Sequence, residues 1–429
     1  MSSNGVTRVA IAGFGTVGRS VAKLLSAGYL PGLKLTAIYN RGIARKRASE
    51  AGALVTADVL WTEDFEDILG SDADVIVELV GGMDPAGEWV SRALTAGKSV
   101  VTANKQLIAY CGPELAKLAA KHGVQLLHGA AVAGGVPVIP GMLQGISGDQ
   151  VTRLSGILNG TCNYILSRME RGDSYSEVLK DAQRLGYAES DPTADVGGSD
   201  ARAKLCILAR VAMHAEIDIE QVPTQSIAEI DAIDFAYARE LGCTIRQVSK
   251  AEQLPDGGMY ARVAPMLVPL DSPMAWSRGT QNMVVSTGRF GGDVVFSGHG
   301  AGGDATAVAV VSDLVAVSQG SHAVGLPFAA KAVTGDSIAP HYLRFIVNDK
   351  PGIVSAISGA LSQVGANIDS LLQRRGYPKN RLPFVVTTEP TLNSVIARAV
   401  KSIAQMDCML ERPLAVEMLV VDDKDEETA

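Results

Sequence analysis

The run from Arg8 to Gly18 limits the possible folds more than any other stretch of this chain. Arg8-Val-Ala-Ile-Ala-Gly is apolar and strand-like, and it passes directly into Gly13-Phe14-Gly15-Thr16-Val17-Gly18. RSVAKLLSAGYL follows, with apolar residues at helical spacing. Strand, glycine turn and helix in this order make G-x-G-x-x-G a dinucleotide-binding fingerprint; the alternative is a tight turn with no ligand. Gly13 permits the turn, Gly15 lets the backbone approach a pyrophosphate, and Gly18 lets helix and strand pack closely, with the helix N-terminus facing the anion.

The strands that follow extend this reading. LKLTAIYN ends at Asn40-Arg41, where a ribose-binding acid would be expected roughly 20 residues beyond the glycines. Arg45, Lys46 and Arg47 come next. An acid would repel a 2′-phosphate and a guanidinium would bind it, so a preference for NADP over NAD is expected; the same run reads equally as a solvated basic helix start. ADVIVELVGG ends in Gly81-Gly82, and KSVVTANK ends at Asn104-Lys105. Strand ends of a parallel sheet face the ligand crevice, which places Lys105 where a nicotinamide would lie. ELAKLAAKHG is the next helix and leads to VQLLHGAAVAGGVPVIP. This alternation predicts a Rossmann-type doubly wound parallel sheet over residues 1–145.

A chain of 429 residues suits two or three domains. Hydrophobic content of 47% with 45 glycines and 5% aromatics fits an α/β enzyme and excludes a disordered or fibrous chain. The net charge of −8 offers no basic surface to nucleic acid, and no apolar run reaches the roughly 18 residues of a membrane helix. MSSNGVTRVAIAG enters a strand without a basic leader or cleavage site, so a cytoplasmic location is expected. The five cysteines lack C-x-x-C spacing and indicate neither a disulfide framework nor a zinc site, and Cys162 reads as small, buried and inert.

Residues 156–204 hold the densest chemistry. Glu189, Asp191, Asp195 and Asp200 crowd together before Lys204, among the turn formers Gly186, Pro192, Gly197 and Gly198. Ser199 or Asp200 can cap a new helix, and Asp200 and Lys204 share one face of it. The apolar LCILARVAM that follows puts the ammonium at the mouth of a buried helix, although a surface salt bridge on a loop fits the residues as well.

Taken together, Gly13–Gly18, Val101–Lys105, Ala131–Pro137, Gly156–Thr161, Gly186–Pro192 and Asp195–Lys204 resemble the homoserine dehydrogenase family, in order, over nearly the whole chain. The resemblance implies NAD(P)-dependent interconversion of L-homoserine and L-aspartate 4-semialdehyde in threonine, methionine and isoleucine biosynthesis. It implies proton transfer by Lys204 and orientation of the reacting oxygen and nicotinamide by Lys105, two roles that could be exchanged, with Asp200 beside the catalytic lysine. Substrate would be held by Glu189, Gly160 and Thr161, with Asp195 and Tyr187 as further contacts. The cofactor would meet the Gly13–Gly18 turn, Asn40, Arg41, Gly81, Lys105 and Gly303. A sodium ion would be wrapped by the carbonyls of Gly129, Val132, Gly134 and Val136. Relatives usually carry Glu where this chain has Gly129, preceded by His128; the carbonyl stays and the carboxylate is lost. That departure is the one residue favouring an alternative, a non-catalytic threonine-binding paralogue.

The same resemblance implies that residues 146–335 form a mixed α+β catalytic and dimerisation domain, with a helix over 304–319 returning to the nucleotide domain. The residues are consistent with it: QSIAEID, TIRQVSKAEQ, MYARVAPMLV, NMVVSTGRF and DVVFSGHG read as strands. Residues 336–421 repeat strand and helix patterns in the order βαββαβ, a ferredoxin-like unit. With Asp349-Lys-Pro-Gly352 and Gly365-Ala-Asn-Ile368 this unit resembles an ACT domain, which implies either a threonine site near Asn367 and the 349–352 turn or a module that only pairs subunits into a homodimer or larger assembly. The acidic residues 422–429 are expected to be a disordered tail.

Overall fold

The computed structural model describes residues 5–320 and 328–420, and the expected acidic tail lies outside them. The chain divides into two compact units, residues 1–154, 203–219 and 282–330 in one and residues 155–202, 220–281 and 331–429 in the other.

The first unit is built on six parallel strands: β1 (Thr7–Ala12), β2 (Leu33–Tyr39), β3 (Leu60–Thr62), β4 (Val75–Glu78), β5 (Ser99–Thr102) and β6 (Leu126–Leu127), in the order β3-β2-β1-β4-β5-β6. Successive side chains of a strand point to opposite faces, and here both faces are covered. Val9 and Ile11 pack with Val75, Val77 and the helices Thr16–Ser26 and Gly303–Ser318, through Val21, Ala307 and Val310. Ala10, Ala12 and Ile76 pack on the opposite side with Val90, Leu94 and Leu107. Two-sided burial explains why these strands read as unbroken apolar runs. The order reverses between β1 and β4, so the ligand crevice of such a sheet opens at their carboxyl ends.

The 105–122 helix departs from the sequence expectation by starting at Lys105 instead of Glu114 and running through Pro113. Asn104 caps it, its side chain accepting from Leu107 N–H at 3.1 Å. Proline removes a helical donor and should break such a helix. The carbonyls of Ile108 and Ala109 are instead satisfied by Arg210, which donates to them at 2.8 and 3.1 Å.

The second unit contains a mixed sheet in the order Cys243–Gln253, Met259–Pro269, Leu414–Met418, His341–Val347, Leu382–Thr388, Ile368–Leu372. QSIAEID is not a strand: Ile227–Glu229 is a 3₁₀ turn whose start is capped by Ser226, and Thr224 alone bridges to Val263. The C-terminal part has the βαββαβ order, with helices Ile353–Gln363 and Asn393–Ile403 over one face of its strands. His341–Val347 is buried throughout. Leu343 and Phe345 meet the two helices, whereas Tyr342 joins the core formed with Ile165, Val178 and Phe235. On that second face Arg344 forms a buried ion pair with Asp234, which also accepts from the Tyr342 hydroxyl at 2.7 Å.

Among the described residues no helix is long and apolar enough to cross a membrane.

Candidate active site

The three fingerprint glycines are each required for a different reason. Gly13 has φ +111°, and a Cβ there would lie 2.7 Å from the Leu79 carbonyl oxygen. A Cβ on Gly18 would lie 2.0 Å from the Gly13 oxygen, so helix and strand touch through it. Gly15 has nothing within 4 Å of a built Cβ: its space is open, as a phosphate-binding backbone needs. Phe14 is fully buried against Trp61, with ring centroids 4.9 Å apart, and its N–H donates to Asn40 Oδ1 at 3.0 Å. Asn40 therefore fixes the turn from β2. Gly303 opens its helix beside Thr16, where a Cβ would meet Thr16 Cγ2 at 2.9 Å, so two helix N-termini converge at the turn, with Asp304 in the first turn of the second. Arg41 is exposed, and the backbone beyond it is tied by Glu63, which accepts from Gly42 and Ile43 at 2.9 and 3.0 Å.

Lys105 is set by a buried network that sequence reasoning missed. Glu78, at the end of β4, accepts from Val80 N–H and Gly81 N–H at 2.8 and 2.9 Å and from the Thr102 hydroxyl at 2.6 Å. Thr102 in turn accepts from Asn104 N–H at 2.9 Å, and the Asn104 amide donates to the Gly82 carbonyl at 2.6 Å. The network closes the Gly81–Gly82 turn on the cap of the 105–122 helix and presents half-buried Lys105 at its first position. The available signal was an acid at the end of an otherwise apolar strand just before Gly-Gly.

In the second unit Asn159 brings two of the predicted acids together. Its Nδ2 donates to Asp195 Oδ1 at 2.7 Å and Asp200 Oδ2 at 2.9 Å, while its Oδ1 caps the helix Gly160–Met169 by accepting from Cys162 N–H. The Thr161 hydroxyl donates to the Tyr187 carbonyl at 2.7 Å, so it anchors the segment leading to Glu189. Tyr187 leans on Tyr164 at 5.0 Å, and Glu189 is exposed. Gly160 leaves no space for a side chain: a Cβ would be 2.8 Å from the Thr280 carbonyl oxygen. Cys162 is fully buried and its thiol donates to the Asp195 carbonyl at 3.2 Å. The helix Ser199–Met213 starts at Ser199, whose hydroxyl donates back to the Ala194 carbonyl instead of capping. Asp200 and Lys204 follow on that helix one turn apart, and Lys204 is half-buried.

The Gly129 departure has a local cause. Gly129 N–H donates to Asp313 Oδ2 at 2.7 Å, and a Cβ at 129 would lie 2.8 Å from Asp313 Oδ1. The two carboxylates could not both occupy this place. Burial pushes the Asp313 carboxyl up to about 7, offset in part by the Gly129 bond. Downstream, Ala133 and Gly134 both take positive φ, 57° and 51°, and the Val136 carbonyl accepts from Val138 N–H at 2.8 Å. A loop of small residues that sustains two consecutive left-handed positions suits carbonyl ligation of a cation.

Comparison with known proteins bears on both units. A family model described as the homoserine dehydrogenase NAD-binding domain matches residues 13–129, one for homoserine dehydrogenase matches 137–315, and an ACT-domain model matches 341–405. The chain is 37% identical to a homoserine dehydrogenase of Mycobacterium tuberculosis over 93% of its own length and 94% of the relative's. It is 36% identical to that of Pseudomonas aeruginosa, covering 93% and 96%. The crystal structure of a homoserine dehydrogenase from Thiobacillus denitrificans superposes with a TM-score of 0.87 at 32% identity, covering 96% of this chain and 98% of that one. Nothing in these matches supports the non-catalytic alternative. A nucleotide fingerprint with its three glycines explained, a helix-borne lysine at the crevice edge and a C-terminal ACT domain all agree: this chain belongs to the homoserine dehydrogenase family.

Proposed function

We propose that the chain interconverts L-homoserine and L-aspartate 4-semialdehyde with NADP as its preferred cofactor, and that Lys204 moves the proton. The reduced nicotinamide, when bound, supplies the hydride. In the direction of aldehyde reduction Lys204 donates a proton to the developing alkoxide and Lys105 orients the same oxygen. Glu189, with Asp200 and Asp195, supplies negative charge for the substrate ammonium, and the N-terminus of the 160–169 helix at Gly160 and Thr161 receives the carboxylate. The observation that carries this reading is Asp200, fixed by Asn159 one helical turn before Lys204. Adding homoserine and NADP to the full chain should raise the absorbance of reduced nicotinamide, and Lys204→Ala should lower kcat by roughly 10²-fold or more. Retention of over half the wild-type kcat would remove Lys204 from the mechanism.

NADP preference rests on Arg41 with Arg45, Lys46 and Arg47, against an acid, Glu63, already engaged by backbone N–H groups. A higher kcat/KM with NAD than with NADP would refute it. Sodium is assigned to the carbonyls of Gly129, Val132, Gly134 and Val136 on the backbone of that loop. The ACT domain is assigned threonine as effector in a cytoplasmic homo-oligomer; unchanged kinetics up to millimolar threonine would remove that assignment.

A further inference from the structure

Gln183 sits in the last turn of the helix Tyr175–Arg184 and ties down the segment that carries Glu189. That helix is a fixed support: a capping box at Ser174 starts it, and Val178 and Ala182 are fully buried in the core of the second unit. It ends in a fold-back. Gly186, at φ +77°, takes the left-handed position, and the N–H groups of Tyr187 and Ala188 both donate to the Ala182 carbonyl, at 2.8 and 3.1 Å. Ala188 is buried in the same core, so the chain is held as far as that residue. Glu189 and Ser190 follow as exposed residues, and here the Gln183 amide donates to both of their carbonyls, at 3.2 and 3.3 Å. Carbonyl oxygens only accept, so the amide has to turn its nitrogen toward them and commits its N–H groups to this segment. With Ala188 anchored before Glu189 and the Glu189 carbonyl held after it, the direction in which the Glu189 side chain leaves the backbone is set before any substrate arrives.

We propose that Gln183 is a positioning residue for Glu189 and thereby sets the affinity for the amino-acid substrate; the inference rests on the reading of Glu189 as the group that meets the substrate ammonium. That ammonium keeps its charge and its bonds while the hydride moves, so it is held equally in the ground state and the transition state. Weakening its contact therefore raises KM and leaves kcat in place. Gln183→Met keeps the length and the helix preference of the side chain and removes its donors. In the full-length enzyme it should raise KM for homoserine about 3- to 10-fold, the scale of one hydrogen bond, with kcat within about twofold of wild type and KM for the nucleotide unchanged. Glu189→Ala should raise the same KM about 10- to 100-fold, the scale of a hydrogen bond to a charged group. In that background Gln183→Met should add less than about 1.5-fold, because the group it positions is gone. No change of KM in Gln183→Met, an equal effect of Gln183→Met in both backgrounds, or a matching rise in KM for the nucleotide would overturn the positioning role and leave Glu189 as the substrate contact. A KM unaltered by Glu189→Ala would remove the reading of Glu189 itself, and the positioning role with it.

Discussion

Asn159 holds Asp200 by a 2.9 Å hydrogen bond from the same amide nitrogen that reaches Asp195 at 2.7 Å. Two like charges are kept side by side by a neutral donor that also caps the neighbouring helix. Asn159→Ala removes both bonds and the cap, and kcat/KM for homoserine should fall roughly 10- to 100-fold, the usual scale for loss of a residue that orients functional groups. Affinity for the nucleotide alone should be unchanged. A loss of nucleotide binding of the same size would show that Asn159 acts through general unfolding.

Thr102 is completely buried, and its hydroxyl both donates to Glu78 and accepts from Asn104. Thr102→Val keeps the shape and leaves two buried groups short of a partner, at a cost of about 1–3 kcal/mol. The urea midpoint should drop accordingly. kcat should fall as well, because the same network positions Lys105. A variant with the lower midpoint and unaltered kcat would separate the network from Lys105.

At Gly129, an added methyl group would stand 2.8 Å from Asp313 Oδ1. Gly129→Ala should destabilise by about 1–3 kcal/mol, the ordinary range for overpacking. In an Asp313→Ala background the same change should cost less than half as much, which a double-mutant cycle in urea would measure. Additive costs would mean that the two residues do not compete for space.

His128 titrates with its pKa pushed down to about 4 by burial and by the nearby Arg210 charge, from an ordinary 6.5. Between these values the unfolded chain binds a proton that the folded chain refuses, so stability rises with pH across that window. The contribution is complete above about pH 6.5 and is lost progressively as the pH falls toward 4, about 3 kcal/mol at most. His128→Asn should flatten the pH dependence of the urea midpoint over this range. An equal slope in both proteins would contradict the assignment.

Much of the fold was legible because each of its signals was local. The glycine turn, the apolar runs of β1, β4 and β5 and the βαββαβ order of the tail are set by residues next to one another in sequence. QSIAEID was misread because alternation over so short a run also suits a 3₁₀ turn, and Ser226 decides between them by capping. The pattern of ELAKLAAKHG gives no sign that its helix begins at Lys105 and runs through Pro113, because the side chain that satisfies the carbonyls before the proline, Arg210, is distant in sequence. The candidate site divides in the same way. Glu189, Asp200, Lys105 and Lys204 stood out as charges in unusual company, whereas Asn159 and Thr102 are neutral side chains whose importance lies only in what they touch.

The strand Leu414–Met418 pairs with His341–Val347 of the ACT domain on one edge, and on the other Met266 and Leu267 stand opposite Glu417 and Met418. One set of backbone hydrogen bonds thus runs from the long hairpin 243–269 into the ACT domain. The joint is a register of paired residues, and cutting the gene before residue 336 would strip the strand Met259–Pro269 of its partner at Met266 and Leu267. Any exchange of the ACT domain therefore has to supply a strand that keeps this register against Met266 and Leu267.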